Sequence, residues 1–356
     1  MSGCRDSPSG GNDDPVDPRT LLEELVSIPS PTGEEGECAR RLRDYLRAAG
    51  REAWIDQVGN VRAPGDDAVL LTSHVDTVPG DIEVRVGQDA DGETALWGRG
   101  SVDAKGPLAA MAVAAVRTGA SFVGVIGEEV DSRGARHLVA DRDAPEAVVN
   151  GEPGGADAVT LAYRGFLAGT YRVDTESAHT SRPDSNAVQA AMAWWHRVES
   201  AFPDEGPVFE RVTPKPVEFE GGTAADGLSV EATVGFQVRV PPGRDPSSVR
   251  ARVVEAAGDG VVEWHDSVPP VVADPRSSLA TAFRGAIREH DGEPRMVKKT
   301  GTSDMNVYAD AWDCPTVTYG PGDSSLDHAP DERLPLAEFD RAVAVLETAI
   351  ERRLRD

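Results

Sequence analysis

Three short, uninterrupted apolar runs constrain this chain most: Val69–Leu71, Phe122–Ile126 and Ala147–Val149, each followed within a few residues by a histidine or a carboxylate. Continuous apolar runs of that length read as strands buried on both faces of a sheet. An alanine-rich helical stretch from about Pro107 to Val116 lies between the first two, so the sheet is expected to be largely parallel. Open sheets of this kind place their ligands outside the carboxyl ends of the strands. The pattern therefore predicts an α/β fold with its chemistry gathered at strand ends.

Helices open the fold. Asp17 before Pro18 supplies an N-cap and a first-turn proline for a helix carrying Leu21, Leu22 and Leu25. A second helix is predicted from about Glu34, with Cys38, Leu42, Tyr45, Leu46 and Ala49 at helical spacing and Gly50 as its stop. From about Leu161 to His265 the pattern changes to alternating strands, as in Gly169–Val173 and Val230–Val240, with helices near 186–201 and 246–257. A helix near Leu279–Glu289, a strand Thr316–Tyr319 and a last helix from about Leu336 return to the first style. The expected organisation is an α/β domain over residues 17–160 and 270–356, interrupted by an α+β domain over 161–269. Residues 1–16, rich in Ser, Gly, Asp and Pro, are expected to lack fixed structure.

Composition excludes some function classes. With 36 basic against 61 acidic residues in 356, the formal charge is −25, which argues against a grip on nucleic-acid phosphates. No apolar run approaches the roughly 18 residues that cross a bilayer, and no signal pattern opens the chain, so a cytoplasmic protein without membrane contact is expected. Cys4, Cys38 and Cys314 are too scattered for a disulfide framework or a zinc finger. Lys105, Lys215, Lys298 and Lys299 are the four lysines in the chain. So acidic and lysine-poor a surface suits a salt-rich, halophilic cytoplasm, where self-repulsion is screened, or simply an acidic enzyme.

The chemistry-bearing residues begin with His74 and Asp76, two apart and so on one side of an extended segment. One can ligate a metal while the other orients it, or the two can form a surface pair. Asp103 follows in the glycine-rich stretch Gly98-Arg99-Gly100-Ser101-Val102-Asp103-Ala104-Lys105-Gly106. It has two oxygens with which to bridge two cations, although taken alone its place before a helix reads first as an N-cap. Glu128 and Glu129 are adjacent after an apolar strand, an arrangement that is costly unless a cation or a proton separates their roles. Glu129 is expected to bind metal and Glu128 to act as general base, against the alternative of a solvated loop. Glu152 repeats the pattern after the third strand, and His328 lies in the glycine-rich segment after Thr316–Tyr319. Two histidines and three spare carboxylates suffice for a two-metal centre.

From about Leu21 to Ala349 the chain resembles the co-catalytic zinc aminoacylases and carboxypeptidases that include acetylornithine deacetylase and succinyl-diaminopimelate desuccinylase. The resemblance implies a zinc-peptidase-like catalytic domain with an inserted lid and dimerisation domain, and two divalent metal ions per subunit. Zinc fits the mixed nitrogen and oxygen ligands, and cobalt can substitute. His74 and Glu152 would bind one ion, Glu129 and His328 the other, and Asp103 would bridge them. Asp76 would orient His74, and Glu128 would be the general acid/base. Glu152 stands where relatives often carry aspartate. Ser177-Ala178-His179-Thr180-Ser181-Arg182-Pro183 resembles the lid motif whose histidine stabilises the oxyanion, commonly in the partner's site, so His179 takes that role unless it merely faces solvent. Asn186 and Arg239 resemble contacts to the substrate carboxylate, although an asparagine opening a helix also serves as a cap.

Lys299-Thr300-Gly301-Thr302-Ser303-Asp304-Met305-Asn306 and the ending through Tyr319-Gly320-Pro321-Gly322 look most like the branch that releases lysine or ornithine from the C-terminal glutamate of a small acidic amino-group carrier protein. Ser303 and Asp304 would touch the released amino acid or cap the helix they open. Acetylornithine deacetylase, succinyl-diaminopimelate desuccinylase and dipeptidase activities are the rivals within the resemblance. A non-catalytic binding module that kept the fold is the rival outside it. A serine hydrolase lacks its Gly-x-Ser-x-Gly elbow here.

Overall fold

Asp17 starts the first helix as its sequence predicts, its carboxylate accepting from Thr20 N at 3.1 Å ahead of Pro18–Ser27. The computed structural model describes residues 17–203 and 205–355; the expected flexibility of 1–16, and Cys4 with it, lies outside the described residues. The described chain divides into two compact units, one comprising residues up to Val130, Gly151–Ala156 and Gly320 onward, the other Asp131–Asn150 and Asp157–Tyr319.

In the first unit, strands Trp54–Ile55, Val61–Ala63, Ala120–Val125 and Asp66–His74 lie in that order, the last two parallel with His74 opposite Val125. The helix Lys105–Thr118 makes the crossover between those two parallel strands and is buried from Lys105 to Ala115. It packs against the last helix, Leu336–Arg355, and the first, Pro18–Ser27. Gly119, left-handed at φ 82°, ends it, a conformation that a side chain resists. A small antiparallel sheet of Arg85–Gln88, Thr94–Trp97 and Arg333–Pro335 ties the glycine-rich segment to the chain's end.

In the second unit, residues 148–150 run parallel to Thr316–Thr318, which meets Ala158–Tyr163; Arg295–Lys299 and Val271–Val272 also pair with Ala158–Tyr163. Beyond Tyr163 the α+β pattern is realised as an antiparallel sheet in the order Thr213–Thr223, Ser229–Val240, Gly165–Glu176, Val261–Val268. Helices Ala187–Ala201 and Pro246–Glu255 cover it around Trp194, which stacks on Tyr171 with ring centroids 4.0 Å apart and meets Phe236 edge-on at 5.3 Å. Thr213–Thr223 is an edge strand whose register shifts after Pro216, a setting that tolerates Pro214 and Pro216.

Candidate metal centre

The parallel pair in the first unit delivers the first residues. His74 ends its strand fully buried, and Val75 N continues the ladder to Val125 O at 2.8 Å, so the segments carrying Asp76 and Glu128-Glu129 leave the sheet side by side. Ser73 Oγ donates to Gly151 O at 2.9 Å, which brings Glu152 to the same place. The glycine-rich loop contributes Asp103. A Cβ on Gly98 (φ +152°) would lie 2.3 Å from Val26 Cγ1, so this turn depends on glycine. The helix behind it starts with no side-chain cap, so the carboxylate of Asp103 is not the helix cap that its position allowed.

Asp103 faces both histidines. Its Oδ1 lies 3.2 Å from His74 Nε2 and its Oδ2 3.2 Å from His328 Nε2. Glu129 Oε2 is 3.0 Å from His328 Nε2, and Glu152 Oε1 is 3.9 Å from His74 Nε2. Potential ligand atoms of His74, Asp103 and Glu129, and separately of His74, Glu128 and Glu152, lie within 4.8 Å of one another. Four carboxylates thus converge on two imidazoles, and Glu129 Oε1 is buried without a hydrogen-bond partner. Such a donor set suits two divalent cations sharing Asp103.

The electrostatics follow from this crowding. Burial alone would raise the Asp103 carboxyl, but hydrogen bonds from His328 and His74 hold it well below the usual carboxylate range. The Asp103 and Glu129 carboxylates push His328 up to about 10. Burial opposes charge on His74, yet Asp103 and Asp76 raise it well above 6.5. In the metal-free chain, protons on these rings offset the carboxylates.

Asp76 does more than the sequence suggested. Its backbone carbonyl, 2.9 Å from His74 Nδ1, can only accept, so Nδ1 carries a proton and Nε2 points at the centre. The Asp76 carboxylate, 3.6 Å from that ring nitrogen, instead accepts from the backbone N–H groups of Glu128 and Glu129 at 3.1 and 3.2 Å, and from Thr32 Oγ1 at 2.7 Å. Orientation of His74 is therefore shared with the main chain, and the side chain fixes the two glutamates. Two residues that sequence reasoning missed act nearby. Asn60 Oδ1 accepts from Ile126 N at 3.2 Å just before the glutamates, and Glu332 accepts from the N–H groups of Val102 and Asp103. Asn60 had only a Gly-Asn turn signal, and Glu332 only its place four residues after His328.

The remaining candidates belong to the second unit. His179 is exposed after the strand Gly165–Glu176, its Nδ1 2.8 Å from Ser181 Oγ. Asn186 and Ser303 each complete a capping box, with Gln189 and Asn306 respectively. Arg239 donates to Thr302 Oγ1 and lies over the Phe166 ring at 4.7 Å, while Asp304 is buried at the start of the helix Asp304–Ala311.

Residues 70–352 match the family model for peptidases M20/M25/M40. A Deinococcus radiodurans protein named LysW-lysine hydrolase is 41% identical over 356 residues, covering 94% of this chain and 96% of its own. Among solved structures, aminopeptidase PepT from Bacillus cereus superposes with a TM-score of 0.76 at 21% identity, covering 96% of this chain and all of its own. The Bacillus subtilis YXEP protein, described as a dinuclear metal-binding peptidase, does so at 0.70 and 14% identity over 94% and 96% of the two chains.

Proposed function

The chain belongs to peptidase family M20/M25/M40, and from that premise we propose that it releases lysine, ornithine or both from the C-terminal glutamate of the carrier protein LysW. It is a hydrolase of amide bonds. The observation that carries the finer reading is the 41% identity, over 94% of this chain, to a LysW-lysine hydrolase.

When bound, two divalent cations, zinc or cobalt, would polarise the scissile carbonyl and acidify a water. His74 and Glu152 would hold one, Glu129 and His328 the other, with Asp103 shared between them. Glu128, its N–H held by Asp76, takes the proton of the attacking water and returns it to the departing amine. Arg239 and Asn186 are assigned to the substrate carboxylate, Ser303 and Asp304 to the released amino acid. The decisive experiment is mass spectrometry of LysW charged with lysine or ornithine after incubation with the purified enzyme. Release of the amino acid is expected. Cleavage of free acetylornithine or succinyl-diaminopimelate with LysW conjugates untouched would replace this reading with a deacylase.

The inserted α+β segment, residues 161–269, is read as a lid and dimerisation domain, and His179 as its oxyanion donor. Val217 and Phe219, exposed on the edge strand Thr213–Thr223, and Leu228 in the turn after it support a homodimer, because an apolar open edge invites strand pairing. His179→Ala is expected to cut kcat by about 10²–10³-fold with both metals retained. Mixed dimers of His179→Ala with Glu128→Gln should recover part of the activity if His179 acts across the dimer. No recovery in verified mixed dimers excludes action in trans.

An acidic carrier needs a basic landing place on a chain of charge −25. Lys298 and Lys299 close the strand Arg295–Lys299, with Lys298 Nζ 5.1 Å from the Phe209 ring centroid. Changing both lysines to glutamate should raise KM for charged LysW about tenfold at low salt and less at high salt, while a small acyl-ornithine is cleaved almost normally. Equal effects on both substrates at every salt concentration would leave the pair as protection of a sheet edge. A cytoplasmic location belongs to the same proposal; no described helix is long and apolar enough to cross a membrane.

A further inference from the structure

Glu332 is fully buried in the first unit, yet it contributes nothing to the donor set described above. Its Oε1 accepts from two consecutive backbone N–H groups, Val102 at 2.8 Å and Asp103 at 3.0 Å. Its Oε2 accepts from Arg99 Nη1 at 2.8 Å, and the same Nη1 donates to Ala329 O at 3.2 Å. One ion pair therefore joins the main chain at Asp103 to the main chain directly after His328. Both residues need such support. His328 sits on a left-handed backbone (φ 62°) with a half-exposed ring, and Asp103 lies in a loop that its helix leaves uncapped. A buried carboxylate without its cation would be costly, so the pair holds as a unit.

We propose that Glu332, through Arg99, is a positioning residue that sets the spacing of Asp103 and His328 and so tunes one cation site, the one these two share with Glu129. The His74 and Glu152 site is anchored separately, by the Asp76 carbonyl and the Ser73 to Gly151 hydrogen bond. The proposal rests on the two-cation reading, and its test separates the two. Supporting groups of this sort typically change metal affinity by about 10–100-fold.

The probe is Zn²⁺, titrated by calorimetry into chelator-stripped full-length protein, with thermal melting as the check on folding. Wild type is expected to bind two ions, and His328→Ala one. Glu332→Gln should bind one ion as wild type does and the other about 10–100-fold more weakly. The double variant Glu332→Gln/His328→Ala should match His328→Ala, showing that the weakened site is the His328 site. Two wild-type affinities in Glu332→Gln, whatever its melting temperature, would overturn the proposal and leave Glu332 a purely structural residue. Equal weakening of both sites would overturn it as well. Should Glu332→Gln fail to fold, Arg99→Lys, which keeps a cation for the buried carboxylate but removes the guanidinium that spans Glu332 and Ala329, decides by the same criterion. Failure of wild type to take up two zinc ions would overturn the metal reading itself, and this proposal with it.

Discussion

Glu128→Gln is expected to leave both cations bound and to lower kcat by about 10²–10⁴-fold, the range for removal of a general base. The substitution keeps the side chain's size and leaves the Glu128 N–H on Asp76 undisturbed, so the glutamate pair should hold its path. What disappears is a group able to take a proton from water and hand it to the amine. KM for the charged carrier should change little, because the lost interaction belongs to the transition state. Metal analysis of the purified variant supplies the control. Loss of a cation with Glu128→Gln, and its retention with Glu129→Gln, would show that the two glutamates have exchanged roles.

Removing the cations should have a comparable effect. A bound cation contributes several kcal/mol of transition-state stabilisation, and each ~1.4 kcal/mol is tenfold, so chelation should lower turnover by at least about 10³-fold, with recovery on adding Zn²⁺ or Co²⁺. The stripped chain should also have a distinctive pH profile. The folded-state pKa of His328 is pushed up from 6.5 to about 10 by the Asp103 and Glu129 carboxylates, and that of His74 is raised too, against the opposing effect of burial. A raised histidine stabilises fully below its unfolded value and loses that contribution as pH climbs through the folded one. The melting temperature of the stripped protein should therefore fall between about pH 6.5 and 10. The loaded protein, with cations in place of those protons, should not show the fall, and loading at neutral pH should release protons. A melting temperature that rises with pH over that window in the stripped protein would contradict the arrangement of His328 between two ionised carboxylates.

Much of this centre was legible because strand ends are legible. A buried strand announces itself as an apolar run, and His74, Glu129 and Glu152 each come three residues after such a run. The supports were hidden, since they depend on where loops meet. Asp76 is near His74 in sequence, but its carboxylate serves amides more than fifty residues away (|i−j| 52 and 53), a pairing that no local pattern encodes. Asn60 and Glu332 look like ordinary turn residues until the fold buries them. The edge strand Thr213–Thr223 was obscured by its two prolines, which propensity counts against any strand. The sheet formed by Arg85–Gln88, Thr94–Trp97 and Arg333–Pro335 was missed because its strands are short and come from opposite ends of the sequence. At Asn186 and Ser303 the cap reading of the sequence matches hydrogen bonds that are present.

The first unit is assembled from three separated stretches of chain, and His328 arrives with the last of them. During synthesis, a chain halted before Gly320 already carries His74, Asp76, Asp103, both glutamates and Glu152. It also contains the segments Asp66–His74 and Ala120–Val125, but it lacks Glu332 and the helix Leu336–Arg355 that packs against Lys105–Thr118. Asp103 then faces a single imidazole. Long-range closure of this kind is slow, so on the two-cation proposal a chain halted there would hold the His74 and Glu152 ligands of one site and lack the histidine of the other. On that proposal, copies of the chain that end before Gly320 are expected to show no hydrolysis of the charged carrier.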